Sequence, residues 1–234
     1  YMIVISGFIE PVLYLLSFGY GIGKLLPTIA VGGESIKYAA FIAPALLATS
    51  AMNGAIYDST MNVYFKLNHD RVYHGMLATS MGPLDVALGE IGWALIRGFS
   101  YACAFMAVIA PLGLVESVWG LLAIPAAVLI AFGFAACGMA VTSYMKSFQQ
   151  LEIVTVVLLP MFLFSGSFYP ISVFPEWLQF TVNLLPLTHA INLVRGLCLG
   201  NLEFALLGHA FYFVVMIVIG LFFTTKRLNA LFMK

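Results

Sequence analysis

The chain has 234 residues, a length that suits one or two soluble domains, but 62% of them are hydrophobic, only 9% are charged and the mean hydropathy is +1.04. Soluble domains carry roughly 25% charged residues, so so few charges cannot cover a water-facing surface and lipid must solvate most of the chain. Ten Lys+Arg against ten Asp+Glu leave no net charge, which removes the electrostatic footprint of a nucleic-acid binder.

Crossing the hydrocarbon takes about 20 largely apolar residues whose backbone bonds close within the segment. The first such stretch covers residues 2–26 and holds an ionisable residue, Glu10, beside Pro11. It ends in GYGIGKL, residues 19–25, which has one residue too few between its glycines for a phosphate-binding loop and Leu25 where Ser or Thr would hold magnesium. The second stretch, 38–57, contains Pro44. After it comes a long connection in which Lys66, His69, Asp70, Arg71 and His74 alternate with Leu67, Tyr73, Met76 and Leu77. Asp70 is placed to cap a short amphipathic helix from Arg71, which either rests in the headgroups or docks into a groove on a soluble partner.

The third stretch, 89–112, carries Arg97. Glu10 and Arg97 each lie about 12 Å into their spans at 1.5 Å per residue, so an intramembrane ion pair between them is expected. The fourth stretch, 118–144, contains Pro125 and the small-residue pairs Ala131/Ala135 and Ala136/Ala140, which, like Gly19/Gly23, let helix backbones approach closely. The fifth, 151–169, contains Pro160 and ends in FSGSF, which lacks the GxSxG pattern of a hydrolase elbow. Each interior proline removes one helical donor and bends its helix.

Residues 170–203 are too polar to span, yet Trp177, Leu178, Val182 and Leu185 recur at helical spacing. Pro175 and Pro186 suit first helical turns and Gly200 a helix stop, so two short helices forming a re-entrant or interfacial hairpin are expected. Trp177 belongs at the water–lipid boundary, with Arg195 snorkelling there. The sixth stretch is 204–225.

Six spans return both ends to one side. Lys66, Arg71, Lys146, Lys226, Arg227 and Lys234 on one set of loops outnumber Lys24, Lys37 and Arg195 on the other, which places both termini in the cytoplasm. The expected fold is therefore all-α and integral to the cell membrane, a single transmembrane domain over residues 1–234. Cys103, Cys137 and Cys198 form no CxxC pair, and His69, His74, His189 and His209 form no HExxH, so neither a metal nor a catalytic centre is indicated.

Several segments carry a family resemblance: EPVLYLLSFGYGIG, SAMNGA, RVYHGMLATSMGPLDVALGE, and FLFSGSFYPISVFPEWLQ followed by LLPLTHAINLVRGLCLG. Together they resemble the transmembrane subunits of ABC type-2 transporters, and among them the permease subgroup typified by nodulation lipo-oligosaccharide export. The resemblance implies a six-span half-transporter in membrane lipid, paired with a second permease copy or paralogue and seated on separately encoded ATPase subunits. ATP and magnesium would bind those partners, with no cofactor and no catalytic residue in this chain. It also implies a coupling helix over about 68–83, with Leu67, just before it, and Asp70, Arg71, Tyr73, Met76 and Leu77 contacting the ATPase. An amphipathic cytoplasmic helix would precede the first span, ahead of this sequence. Alternating access would carry an amphipathic substrate outward, a lipo-oligosaccharide, lipid-linked glycan or drug. The path candidates on the second and fifth spans are Met52, Asn53, Phe162, Phe164 and Ser165. The external hairpin, with Trp177, Pro186, His189 and Arg195, would seal the exit. An ATP-independent channel or scaffold and an intramembrane lipid transferase are the alternatives.

Overall fold

The computed structural model describes residues 2–31, 34–70 and 72–232. Helix α1 (Met2–Leu25) runs unbroken through Pro11. It is followed by two short antiparallel strands, β1 (Thr28–Val31) and β2 (Glu34–Lys37), in the register Thr28 opposite Lys37 and Ile29 opposite Ile36. The expectation of a purely helical chain missed this ribbon. Its signal was present, since TIAV and ESIK flank a Gly-Gly dipeptide, the composition of a tight hairpin turn.

Helix α2 extends from Tyr38 to His69, well beyond the expected end at Tyr57. Asp58–Asn62 and Phe65–His69 continue it as wider π turns. The polar run DSTMN looks like a loop in sequence, but two of its hydroxyls close on the helix itself: Ser59 Oγ and Thr60 Oγ1 both donate to the Ile56 carbonyl, at 3.3 and 2.6 Å. Every residue of α2 from Ala40 to Met52 is buried. A helix apolar all round belongs inside a bundle, and α2 lies against α1, α4, α5 and α8.

A six-residue helix, α3 (Val72–Leu77), leads into α4 (Pro83–Ile109). Helix α5 (Ala123–Tyr144) has Pro125 in its first turn, where no interior donor is lost, so this proline does not interrupt the span as expected. The remaining helices are α6 (Gln149–Phe164), α7 (Glu176–Asn183), α8 (Pro186–Leu199) and α9 (Ala205–Phe232). Helices α7 and α8 meet at 83°, and Gly200 ends α8 with a left-handed φ of 82°. Among the described residues, four helices are long and apolar enough to cross a membrane: Tyr38–His69, Pro83–Ile109, Val118–Tyr144 and Ala205–Phe232. The chain is a helical, multi-pass membrane protein.

Small residues set the spacing around α5. Gly98 of α4 abuts Ala131, Gly133 accepts the Phe213 ring of α9, and Gly220 of α9 lies on the Ala136 backbone. A Cβ at Gly220 would stand 2.5 Å from the Ala136 carbonyl carbon, which no rotamer change can relieve. Gly220→Ala should therefore lower stability by about 1–3 kcal/mol through overpacking. Thermal unfolding of the purified protein in detergent measures this, and an unchanged midpoint would show that α5 and α9 separate freely.

Candidate functional site

An open cavity of about 610 Å³ lies between α1, α2, α4 and α6. Helix α1 contributes Glu10, Pro11 and Tyr14, and α2 contributes the stretch from Leu46 to Tyr57 that includes Met52 and Asn53. Arg97 and Tyr101 enter from α4, and Thr155, Leu158, Leu159 and Phe162 from α6. Met52 is almost wholly buried in the wall, whereas Asn53 is exposed to the cavity. Gly54 leaves room for Tyr101, because a Cβ there would lie 3.1 Å from the ring. The lining mixes aromatic faces, aliphatic surface and a few polar groups, the usual composition of a small-molecule site.

Arg97 pairs with Asp58 and not, as expected, with Glu10. Arg97 Nε stands 2.8 Å from Asp58 Oδ2, with the two side chains 11% and 3% exposed. Asp58 Oδ1 also accepts from Asn62 Nδ2 at 2.6 Å. The extension of α2 explains the difference. Asp58 lies about 17 Å up from His69 and Arg97 about 21 Å up from Pro83 at 1.5 Å per residue, so the two reach the same level from the α3 end. Glu10 lines the same cavity, and among the described residues it forms no ion pair.

Two rings of the cavity wall, Tyr14 and Phe162, belong to a cluster of four. Tyr14 lies 6.2 Å from Phe162 and 6.0 Å from Phe18, while Phe168 lies 4.8 Å from Phe18 and 5.1 Å from Phe162. Tyr38 Oη donates to the Phe168 carbonyl at 3.2 Å, fixing that loop on α2. Phe18 and Phe168 were not among the sequence candidates. Phe164 and Ser165, which were, stand outside the cavity: the Phe164 ring packs on Phe174 at 5.7 Å, and buried Ser165 Oγ lies 3.0 Å from Ser167 Oγ.

The loop residues divide by burial. Leu67 and Tyr73 are buried, and Met76 and Leu77 pack half-buried against the core, so these apolar groups face the chain's own bundle and not outward as expected. Asp70 is exposed, and Arg71 lies outside the described residues. Burial, and then the Glu90 carboxylate beside it, hold the Tyr73 hydroxyl above its ordinary pKa. Lys66 Nζ bonds both Glu90 oxygens at 2.8 Å, tying α2 to α4 above this turn. The His74 ring meets Phe232 edge-on at 4.6 Å. The apolar groups that the turn does present are Met81 and Leu84.

In the α7–α8 hairpin, Trp177 is exposed and Pro186 begins α8. Arg195 does not snorkel. Its guanidinium covers the Phe41 ring at 3.9 Å and donates to two main-chain carbonyls, those of Phe41 at 3.3 Å and Gly166 at 2.9 Å. The cation–π contact and the two carbonyl acceptors offset the cost of its burial. His189 Nδ1 lies 2.7 Å from His209 Nδ1, and its ring stacks on Tyr212 at 4.2 Å. One ring must donate and the other accept, so the acceptor is neutral. Among the described residues, no three His, Cys, Asp or Glu side chains converge as metal ligands.

Comparison with known proteins places this geometry in a family. Residues 1–199 match the family model described as ABC-2 type transporter. The chain is 31% identical over 221 residues to Nodulation protein J of Rhizobium leguminosarum bv. trifolii, covering 94% of this chain and 83% of that protein. It is 28% identical to Nodulation protein J of Rhizobium meliloti (strain 1021), over 85% of this chain and 74% of that protein. To the protein of that name in Sinorhizobium fredii (strain NBRC 101917 / NGR234) it is 31% identical, over 82% and 72%. A multi-pass helical chain with these relatives and this match belongs to the ABC-2 type transporter family, as a membrane permease subunit of an ABC transport system.

Proposed function

We propose that this subunit forms the membrane pathway of an ATP-driven exporter that moves an amphipathic molecule, such as a lipo-oligosaccharide, lipid-linked glycan or drug, out across the cytoplasmic membrane. The observation that carries the reading is the cavity between α1, α2, α4 and α6, roomy, open and partly polar, with the Tyr14 and Phe162 rings in its wall. Six spans follow if α1 and the 16-residue α6 also cross the bilayer, with α7 and α8 entering it as a bent pair. The Lys and Arg distribution supports a cytoplasmic α3 end.

Hydrolysis of ATP with magnesium occurs on a separate ATPase subunit, which docks on the turn around Asp70, Met81 and Leu84. A second permease copy or paralogue covers α6, whose Ile153, Val156, Val157, Leu159 and Leu163 are exposed beside the open cavity. ATP binding draws the turns together and opens the cavity outward, parting the rings of Tyr14, Phe18, Phe162 and Phe168 and moving the α7–α8 hairpin.

Reconstitution of the permease with its ATPase in vesicles tests this reading, with a labelled lipo-oligosaccharide as cargo. Movement should require ATP, and Asn53→Trp should abolish most of it by filling the cavity, while assembly and basal hydrolysis persist. Movement that proceeds without nucleotide would instead identify a channel.

A further inference from the structure

The net charge of the cavity is set by one residue. Asp58 and Arg97 cancel, because opposite charges 2.8 Å apart form a compact dipole whose field falls away faster than that of a lone charge. Lys66 and Glu90, at the same separation, cancel in the same way toward the α3 end. Glu10 is what remains. It lines the cavity, it is exposed, and among the described residues neither ion pair includes it. One helical turn further on α1, Tyr14 lines the same cavity with its ring packed on that of Phe162, centroids 6.2 Å apart. Aromatic faces attract cations and repel anions, so the rings favour the same sign of ligand as the carboxylate.

We propose that the cavity selects amphipaths carrying a protonated amine, with Glu10 as counter-ion and the Tyr14 and Phe162 rings flanking the ammonium, over amphipaths with an anionic head. This inference rests on the cavity being the transport path. An ammonium group brings an exposed carboxylate a charge partner and hydrogen-bond donors together. An anionic head would meet a like charge.

The test uses the permease–ATPase complex in phosphatidylcholine nanodiscs, whose lipid carries no net charge. Two probes are titrated: dodecylamine and dodecanoic acid, each labelled with nitrobenzoxadiazole at the far end of its chain. Binding at the cavity is the part that Asn53→Trp removes. The amine should bind there more tightly than the acid, and Glu10→Gln should weaken the amine by about fivefold, as expected for one partly solvated ion pair, without weakening the acid. If Asn53→Trp removes equal binding of both probes, or Glu10→Gln leaves the amine unaffected, the charge selection is overturned and the path survives. If Asn53→Trp removes no binding of either probe, the path reading itself falls, and this inference with it.

Discussion

Asp58→Leu should destabilise the protein by about 3–5 kcal/mol, because it strands the Arg97 guanidinium in a site where that side chain is 11% exposed. The cost comes from the charge left behind more than from the bond removed. Asp58→Leu combined with Arg97→Met should therefore recover most of the loss, since apolar pairs of similar volume often match or exceed buried ion pairs. Glu10→Gln should leave the melting temperature unchanged, because Glu10 belongs to neither ion pair among the described residues. Thermal unfolding of the four proteins in one detergent distinguishes the partners. A double variant no more stable than Asp58→Leu alone would mean that the pair serves something other than charge balance, and a large loss in Glu10→Gln would restore Glu10 as an intrahelical-bundle partner.

Tyr73→Asp should have a comparable effect, for a different reason. Tyr73 is fully buried and its hydroxyl neighbours Glu90, so the substitution leaves a cavity and sets a second carboxylate beside the first. Large-to-small changes at such aromatic sites cost about 3–5 kcal/mol before the like-charge repulsion is added. The isolated permease, with no ATPase present, should already melt early. Met81→Asp with Leu84→Asp changes exposed side chains only, so it should leave the melting temperature alone and weaken association with the ATPase in a pull-down. Normal melting of Tyr73→Asp together with lost association would make Tyr73 a contact residue and not the anchor of the turn.

What could be read from the sequence depended on how local its cause was. Pro175, Pro186 and Gly200 each act within one helical turn, and α7 and α8 begin, and α8 ends, where those residues predict. Met52, Asn53 and Phe162 lie on the cavity because the second and fifth apolar stretches do pack beside it, whereas Phe164 and Ser165, at the end of α6 and just past it, have left it. Asp58 was hidden by its neighbours: a window average treats DSTMN as a loop, although a buried helix can hold these side chains by bonding them to its own carbonyls and to Asn62. The burial of Tyr73 has no local sign at all. An amphipathic turn looks the same whether its apolar face meets a partner or its own bundle, and that choice is made by α2 and α4, far away in sequence.

The Arg195 clamp is unequal in what it asks of its members. Both of its acceptors are carbonyl oxygens, a group that every residue supplies, so the bond to position 41 would survive replacement of the Phe41 side chain with loss of the ring contact alone. Gly166 is fixed for a separate reason, its φ of 77° and the crowding of a Cβ by Ile171. The donor has no such latitude, because an ammonium on a flexible stem lacks the planar fork that reaches two carbonyls at once. Sequence drift is thus tolerated at position 41 and forbidden at position 195, and this joint ties the start of α2, the turn after α6 and α8 together.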